Sequence, residues 1–248
     1  MTVAPEARPT QGAGRSDQVQ TLFSEIAPRY DLLNHVLSLN IDRRWRRKAV
    51  RALAWDRQPE GTYLDGCAGT FDLSLELARQ PAFRGRIVGA DFAFPMLAAG
   101  LAKIDGVPVN AVCGDALMLP FPDDVFSGMT IGFGVRNLAD LDAGLRECAR
   151  VLRPEGKLVI LEFTVPPNRL VRGAYMVYFN HVLPRVGRLV SGHPWAYTYL
   201  PESVKEFPGP EGLGERMTEA GFSAVSWTLL TGGIAAIHVG TKEGPGAP

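Results

Sequence analysis

The chain has 248 residues, 46% of them hydrophobic, with 26 basic and 26 acidic side chains. That length supplies one compact core without metals or disulfides, and the balanced charge gives no global attraction to nucleic acid, so any membrane attraction must come from a local patch. Cys67, Cys113 and Cys148 stand far apart in apolar stretches, which suits reduced thiols in a cytoplasmic protein and offers no zinc spacing; no window holds the roughly 18–20 uninterrupted apolar residues of a membrane-spanning helix.

Residues 1–16 contain Pro5, Pro9, Gly12 and Gly14 without an apolar run and read as a disordered tail, not a signal peptide. From Val19 to Leu53 apolar residues recur at helical spacing, broken at Pro28, which predicts an N-terminal helical lid over 17–55. Tyr30, Asp31 and Asn34 begin its second helix, where Asp31 also suits a cap. Ile41 to Leu53 places Arg43, Arg44, Arg46, Arg47, Lys48 and Arg51 around Trp45, Ala49 and Leu53. This basic amphipathic helix suits either an anionic lipid surface or plain solvent.

Short apolar runs then alternate with helical segments. Strands are predicted near Thr62–Gly66, Arg86–Asp91, Val107–Cys113, Phe126–Phe133 and Lys157–Phe163, and helices near Asp72–Arg79, Pro95–Lys103 and Asp140–Leu152. Such alternation implies an α/β, Rossmann-like, doubly wound parallel sheet. Pro154-Glu155-Gly156 stops a helix and turns the chain into a strand. After Pro166-Pro167 comes an aromatic-rich insertion over 166–203, helical from Leu170 to Leu189 with a break at Pro184, then irregular through Pro201. A helix at Gly212–Ala220 precedes strands Ala224–Leu230 and Ile234–Gly240, joined by Thr231-Gly232-Gly233 as an antiparallel hairpin. The total is seven strands, mostly parallel; 243–248 read as a flexible tail.

In an open α/β sheet, ligands bind at the carboxyl ends of the strands near the topological switch point. The first strand ends in Asp65, followed by Gly66-Cys67-Ala68-Gly69-Thr70-Phe71, small residues that let backbone approach a ligand before the next helix. Asp91 ends the second strand, where a carboxylate can accept from both ribose hydroxyls of an adenosine, or merely cap a helix. Asp115 and Ala116 follow the third strand, where an acceptor can take an adenine amine, or simply form a turn. Neither a G-x-G-x-x-G nor a phosphate-binding lysine loop occurs, so the three loops together favour S-adenosylmethionine over a dinucleotide or triphosphate.

The segments Phe23-Ser24-Glu25-Ile26-Ala27-Pro28-Arg29-Tyr30-Asp31, Leu119-Pro120-Phe121-Pro122-Asp123, Gly132-Phe133-Gly134-Val135-Arg136-Asn137, Arg150-Val151-Leu152-Arg153-Pro154 and Phe207-Pro208-Gly209 resemble the ubiquinone/menaquinone biosynthesis C-methyltransferase family, over about Phe23 to Lys242. The resemblance implies a single class I methyltransferase domain over 17–242 and no metal. It puts cofactor contacts on Thr70, Asp91, Asp115 and Ala116, with Asp65 and Gly69 beside them. Phe207-Pro208-Gly209 has the form of the menaquinone-making members, which implies demethylmenaquinol as acceptor. One departure is Phe71, where the family's loop usually has a glycine: its ring either obstructs the cofactor or points into the helix–sheet core.

Methylating a quinol carbon needs a base or an anion-stabilising cation near the ring hydroxyl. His181 in the aromatic insertion, or Arg136 with Asn137 after the fourth strand, fits such a role; a structural histidine and a loop salt bridge are the plainer alternatives. Tyr30, Tyr178 and Tyr199 are candidate acceptor-site residues, although Tyr197 and Tyr199 also suit the two faces of a strand. A polyprenylated quinol implies a cytoplasmic enzyme with transient contact at the inner membrane surface and no nucleic-acid partner; a homodimer is compatible with the sequence. A benzoquinol or other small acceptor, and a non-catalytic relative degenerate at Phe71, stay open.

Overall fold

The computed structural model describes residues 13–27, 30, 31, 38, 40–178 and 196–244, the side chains of 13, 15–17 and 196–199 lying outside that description. Helices α1 (Ala13–Ile26) and α2 (Ile41–Ala52) precede β1 (Thr62–Gly66), α3 (Asp72–Ala78), β2 (Arg86–Asp91), α4 (Phe94–Gly100) and β3 (Val109–Cys113). There follow β4 (Phe126–Gly132), α5 (Leu141–Val151), β5 (Leu152–Phe163), α6 (Arg169–Val177), α7 (Ala196–Glu206), α8 (Pro210–Glu219), β6 (Phe222–Leu230) and β7 (Ala235–Lys242).

The seven strands form one sheet in the order β3-β2-β1-β4-β5-β7-β6. Strands β1 to β5 pair in parallel, and β7 runs antiparallel between β5 and β6. The order reverses between β1 and β4, so a crevice opens at their carboxyl ends.

Alternation along the strands divides the core. In β5, Val159 and Leu161 face Trp45, Leu53, Phe71 and Leu73 on one side, while Leu158 and Ile160 join Leu64, Met129, Leu145 and Phe222 on the other. All four β5 residues are fully buried, which is why this strand reads as a continuous apolar run.

Several boundaries differ from the sequence expectations. Helix α1 begins at Ala13, inside the stretch read as a tail. Leu152 already pairs with Phe126, and the register then jumps so that Gly128 pairs with Lys157; the Pro154-Glu155-Gly156 turn bulges from a strand that starts earlier than expected, with Glu155 left-handed. Of the aromatic insertion, α6 is described, started by Asn168, whose side chain accepts from the Leu170 and Val171 N–H groups. The stretch expected to be irregular before Pro201 is instead helical from Ala196, with Pro201 inside α7.

Two recognisable motifs are bound together. The Arg150 guanidinium donates to the Leu119 and Phe121 carbonyls and to Asp123 and Glu147, and Glu147 accepts from the Leu119 N–H. The Leu119–Asp123 and Arg150–Pro154 segments therefore support each other, and with them the loop after β3. At the far end, Thr231, Gly232 and Gly233 are all left-handed, a run that glycine makes accessible. The indole of Trp45 donates to the Thr231 hydroxyl at 2.9 Å, tying α2 to the final hairpin.

Candidate active site

The loop after β1 coils through left-handed residues at Cys67, Gly69 and Phe71. Gly69 needs its missing side chain, because a β-carbon there would lie 3.3 Å from Met96 and 3.8 Å from Tyr30 in a conformation L-residues rarely adopt. Asp91 holds this loop to β2: one carboxylate oxygen accepts from the Gly69 N–H and the other from the Ala93 N–H, both at 2.8 Å. Burial raises its pKa, and the two backbone donors pull it back down. Each oxygen keeps acceptor capacity for a further donor.

Phe71 points into the core, away from the crevice. Its ring is wholly buried, filling space at two glycines: a β-carbon on Gly89 or Gly100 would come within 2.6 Å of it. The backbone of the ligand-facing turn is thus kept, at the cost of a left-handed phenylalanine starting α3.

Above these strand ends lies a crevice of about 690 Å³, the open solvent at its mouth included, whose walls include Tyr30, Cys67, Gly69, Asp91, Phe92, Met96, Asp115, Ala116, Leu119, Phe133 and Asn137. Asp115 accepts from the Leu117 N–H at 2.9 Å, so one oxygen braces its own turn. Cys67 stands in the wall as a neutral thiol, because burial pushes its pKa up.

Asp65 is turned beneath the loop. It accepts from the backbone and hydroxyl of Ser74 and from the Thr130 hydroxyl, and lines a smaller crevice of about 340 Å³. Desolvation raises its pKa from 3.8 to about 7, against the Ser74 and Thr130 hydrogen bonds. Below about pH 4 folded and unfolded chains both carry this proton; as pH rises toward 7 the unfolded chain releases it first, so the contribution of Asp65 to stability is lost across that window. Asp65→Asn cannot ionise, so its melting temperature should gain on the wild type between pH 4 and 7.5. A difference that stays constant across the window would refute this.

Thr70 is buried and its hydroxyl donates to Asp31 at 2.5 Å. Asp31, read as a cap from sequence, bridges onward to Lys103 at 2.7 Å, and Lys103 reaches Asp72 at 2.9 Å. Arg46 lies 2.9 Å from Asp72 and 2.5 Å from Asp42, which also accepts from Ser38. One chain of charges therefore sews the N-terminal helices to the loop after β1. Lys103 was invisible to pattern reading, and Arg46 passed for one more charge of the basic helix; only folding brings α2, α3 and the turn after α4 together.

The acceptor-side candidates separate. Arg136 is buried against Glu162 at 2.7 Å, with its guanidinium carbon 5.6 Å from the centre of the Phe163 ring, so the expected loop salt bridge is present. Glu162 is pushed up by desolvation and drawn down by Arg136. Asn137 and Tyr30 line the large crevice, Tyr30 meeting Phe23 edge to face with ring centres 6.0 Å apart. Tyr178 packs with Tyr175 and Val204 and is not among the described residues lining either crevice. Tyr199 falls on helix α7, not on a strand, and its side chain and His181 lie outside the described residues.

An adenosine with a sulfonium-bearing amino-acid tail fits this arrangement. The described walls supply a carboxylate with acceptor capacity at Asp91, apolar surface from Phe92, Met96 and Leu117, and polar groups of the Asp115–Ala116 turn.

Residues 11–242 match the ubiE/COQ5 methyltransferase family. The chain is 52% identical over 223 residues to demethylmenaquinone methyltransferase of Thermus thermophilus, covering 89% of this chain and 100% of that protein. It is 48% identical to the Mycobacterium marinum protein of the same name, covering 92% and 94%. Against the ubiquinone/menaquinone biosynthesis C-methyltransferase of Geobacter sulfurreducens it is 44% identical, covering 92% and 90%. Among solved structures, the cyclase SpnF superposes with a TM-score of 0.68 at 18% identity, covering 92% of this chain and 97% of that one. A Thermotoga maritima S-adenosylmethionine-dependent methyltransferase superposes at 0.62 and 18%, covering 90% and 99%. The last two speak for the fold alone.

Proposed function

Because the chain belongs to the ubiE/COQ5 methyltransferase family, we propose that it transfers a methyl group from S-adenosylmethionine to the ring carbon of demethylmenaquinol, giving menaquinol. The observation that carries this reading is the crevice at the β1/β4 switch point, with a buried carboxylate at the end of β2, in a chain about half identical to demethylmenaquinone methyltransferases over nearly its full length.

Bound S-adenosylmethionine supplies an electrophilic methyl. The protein's work is to align the acceptor carbon with it, exclude water and favour the ionised quinol. Asp91 would hold the ribose, Asp115 and Ala116 the adenine, and Gly69 the close backbone approach. Thr70 would act through Asp31, fastening the helices that cover the site. Asn137 would orient a ring oxygen and Tyr30 would close the crevice over the ring. Arg136 would fix the loop that carries Asn137 through its pair with Glu162. The test is incubation with labelled S-adenosylmethionine and either demethylmenaquinol or the benzoquinol precursor of ubiquinone, with mass analysis of the products. Label entering the naphthoquinol supports the reading; label entering only the benzoquinol, or neither, overturns it.

A polyprenylated acceptor resides in the bilayer, and no helix among the described residues is long and apolar enough to cross one. Helix α2 would bring the enzyme to the lipid surface. It buries Trp45, Ala49 and Val50 and leaves Arg43, Arg44, Arg47, Lys48 and Arg51 exposed, a cationic face suited to anionic headgroups. At about 1 kcal/mol per cation near such a surface, replacing Arg43, Arg44 and Lys48 with glutamine should weaken co-sedimentation with anionic vesicles about a hundredfold at low salt. Unchanged binding would exclude this face.

A further inference from the structure

We infer that Arg46 is the binding residue for the carboxylate of the methyl donor's amino-acid tail, making the smaller crevice a distinct anchoring point; this rests on the S-adenosylmethionine reading above. The two crevices adjoin, with Tyr30, Cys67, Gly69, Gly132 and Phe133 as shared walls. A nucleoside held at Asp91 and Asp115 would therefore lie beside that shared wall, its tail directed toward the loop after β1. That tail ends in a carboxylate, which leaves water only for a cation or several N–H donors. Among the described residues lining either crevice, Arg46 is the one lysine or arginine.

Its setting is that of a prepared ligand. Arg46 is 7% exposed, far more buried than the other basic residues of α2. Asp42 one turn earlier and Asp72 at the start of α3 both make their nearest approach at the same nitrogen, Nη1, and the hydrogen bond to Asp42 also leaves from Nη1. An arginine fixed at that nitrogen is pre-oriented for two-point recognition of a carboxylate by its planar fork. The neighbourhood also suits the rest of the tail: among the described residues, Asp31, Asp42 and Asp72 are three carboxylates joined to two cations, Arg46 and Lys103. An ammonium and a sulfonium entering there meet surplus negative charge, and the single anion meets Arg46.

Decarboxylated S-adenosylmethionine keeps the nucleoside, the sulfonium and the amine but lacks the carboxylate, so calorimetry with both ligands isolates this contact. Wild-type protein should bind the complete cofactor about ten- to a hundredfold more tightly, the usual worth of a charged hydrogen-bonded contact. Arg46→Gln should bring the two affinities within about threefold by weakening only the complete cofactor, and Arg46→Lys should keep part of the preference. Urea melts of both variants establish that they are folded, and the wild-type ratio tests the inference without any substitution. Equal binding of the two ligands by the wild type, or an undiminished preference in folded Arg46→Gln, overturns it. If the wild type binds neither ligand, the methyl-donor reading falls and this inference with it.

Discussion

Asp91→Ala is expected to weaken S-adenosylmethionine binding at least about a hundredfold and to abolish detectable methyl transfer at cofactor concentrations that saturate the wild type. The side chain has two tasks at once. It pins the loop after β1 through the Gly69 N–H and starts the turn after β2 through the Ala93 N–H, and on the proposed reading its remaining acceptor capacity would meet the ribose. Two charge-assisted hydrogen bonds to the sugar are each worth about 1.5–3 kcal/mol, which gives the hundredfold figure as a lower bound. Asp91→Asn keeps the shape but turns an amide toward one backbone N–H, so it should fall between the two. Calorimetry separates binding from turnover, and an alanine variant binding within threefold of the wild type would remove Asp91 from the site.

The second large effect is on stability. Arg136 and Glu162 form an ion pair in which both side chains are under a tenth exposed, at 2.7 Å. Truncating one partner leaves the other's charge buried without compensation, which costs about 3–5 kcal/mol. Arg136→Met should therefore lower the unfolding free energy by that amount, and the melting temperature by roughly 10 °C for a domain of this size. Arg136→Met combined with Glu162→Gln should recover most of the loss, because the remaining carboxamide carries no charge. Equilibrium urea unfolding of the wild type, Arg136→Met, Glu162→Gln and the double variant measures the coupling; an Arg136→Met variant within about 1 kcal/mol of the wild type would mean the pair does not hold the Gly132–Asn137 loop.

Much of this was readable before folding because it depends on neighbours in the chain. The limits of β1 and β2, the antiparallel hairpin at the end and the acids at the strand ends all follow from period-two burial, turn chemistry and parallel-sheet topology. The stretch before Pro201 misled, since proline and polar residues there read as irregular although the helix tolerates Pro201. What could not be read is what assembles across the chain. Lys103 reaches Asp31 from 72 residues away, Arg136 reaches Glu162 from 26, and no spacing rule announces either pair. Arg46 sits among six basic residues in a short stretch, and only burial distinguishes it.

Phe71, Gly89 and Gly100 amount to one parcel of volume with three owners. Grafting the glycine-ended loop of its kin onto this scaffold would relieve a left-handed phenylalanine yet hollow out the layer beneath β2, with the void penalty that follows. An alanine at 89 or 100 would be tolerated only once the ring is gone. The loop is thus not an interchangeable cassette: any exchange has to move all three positions together.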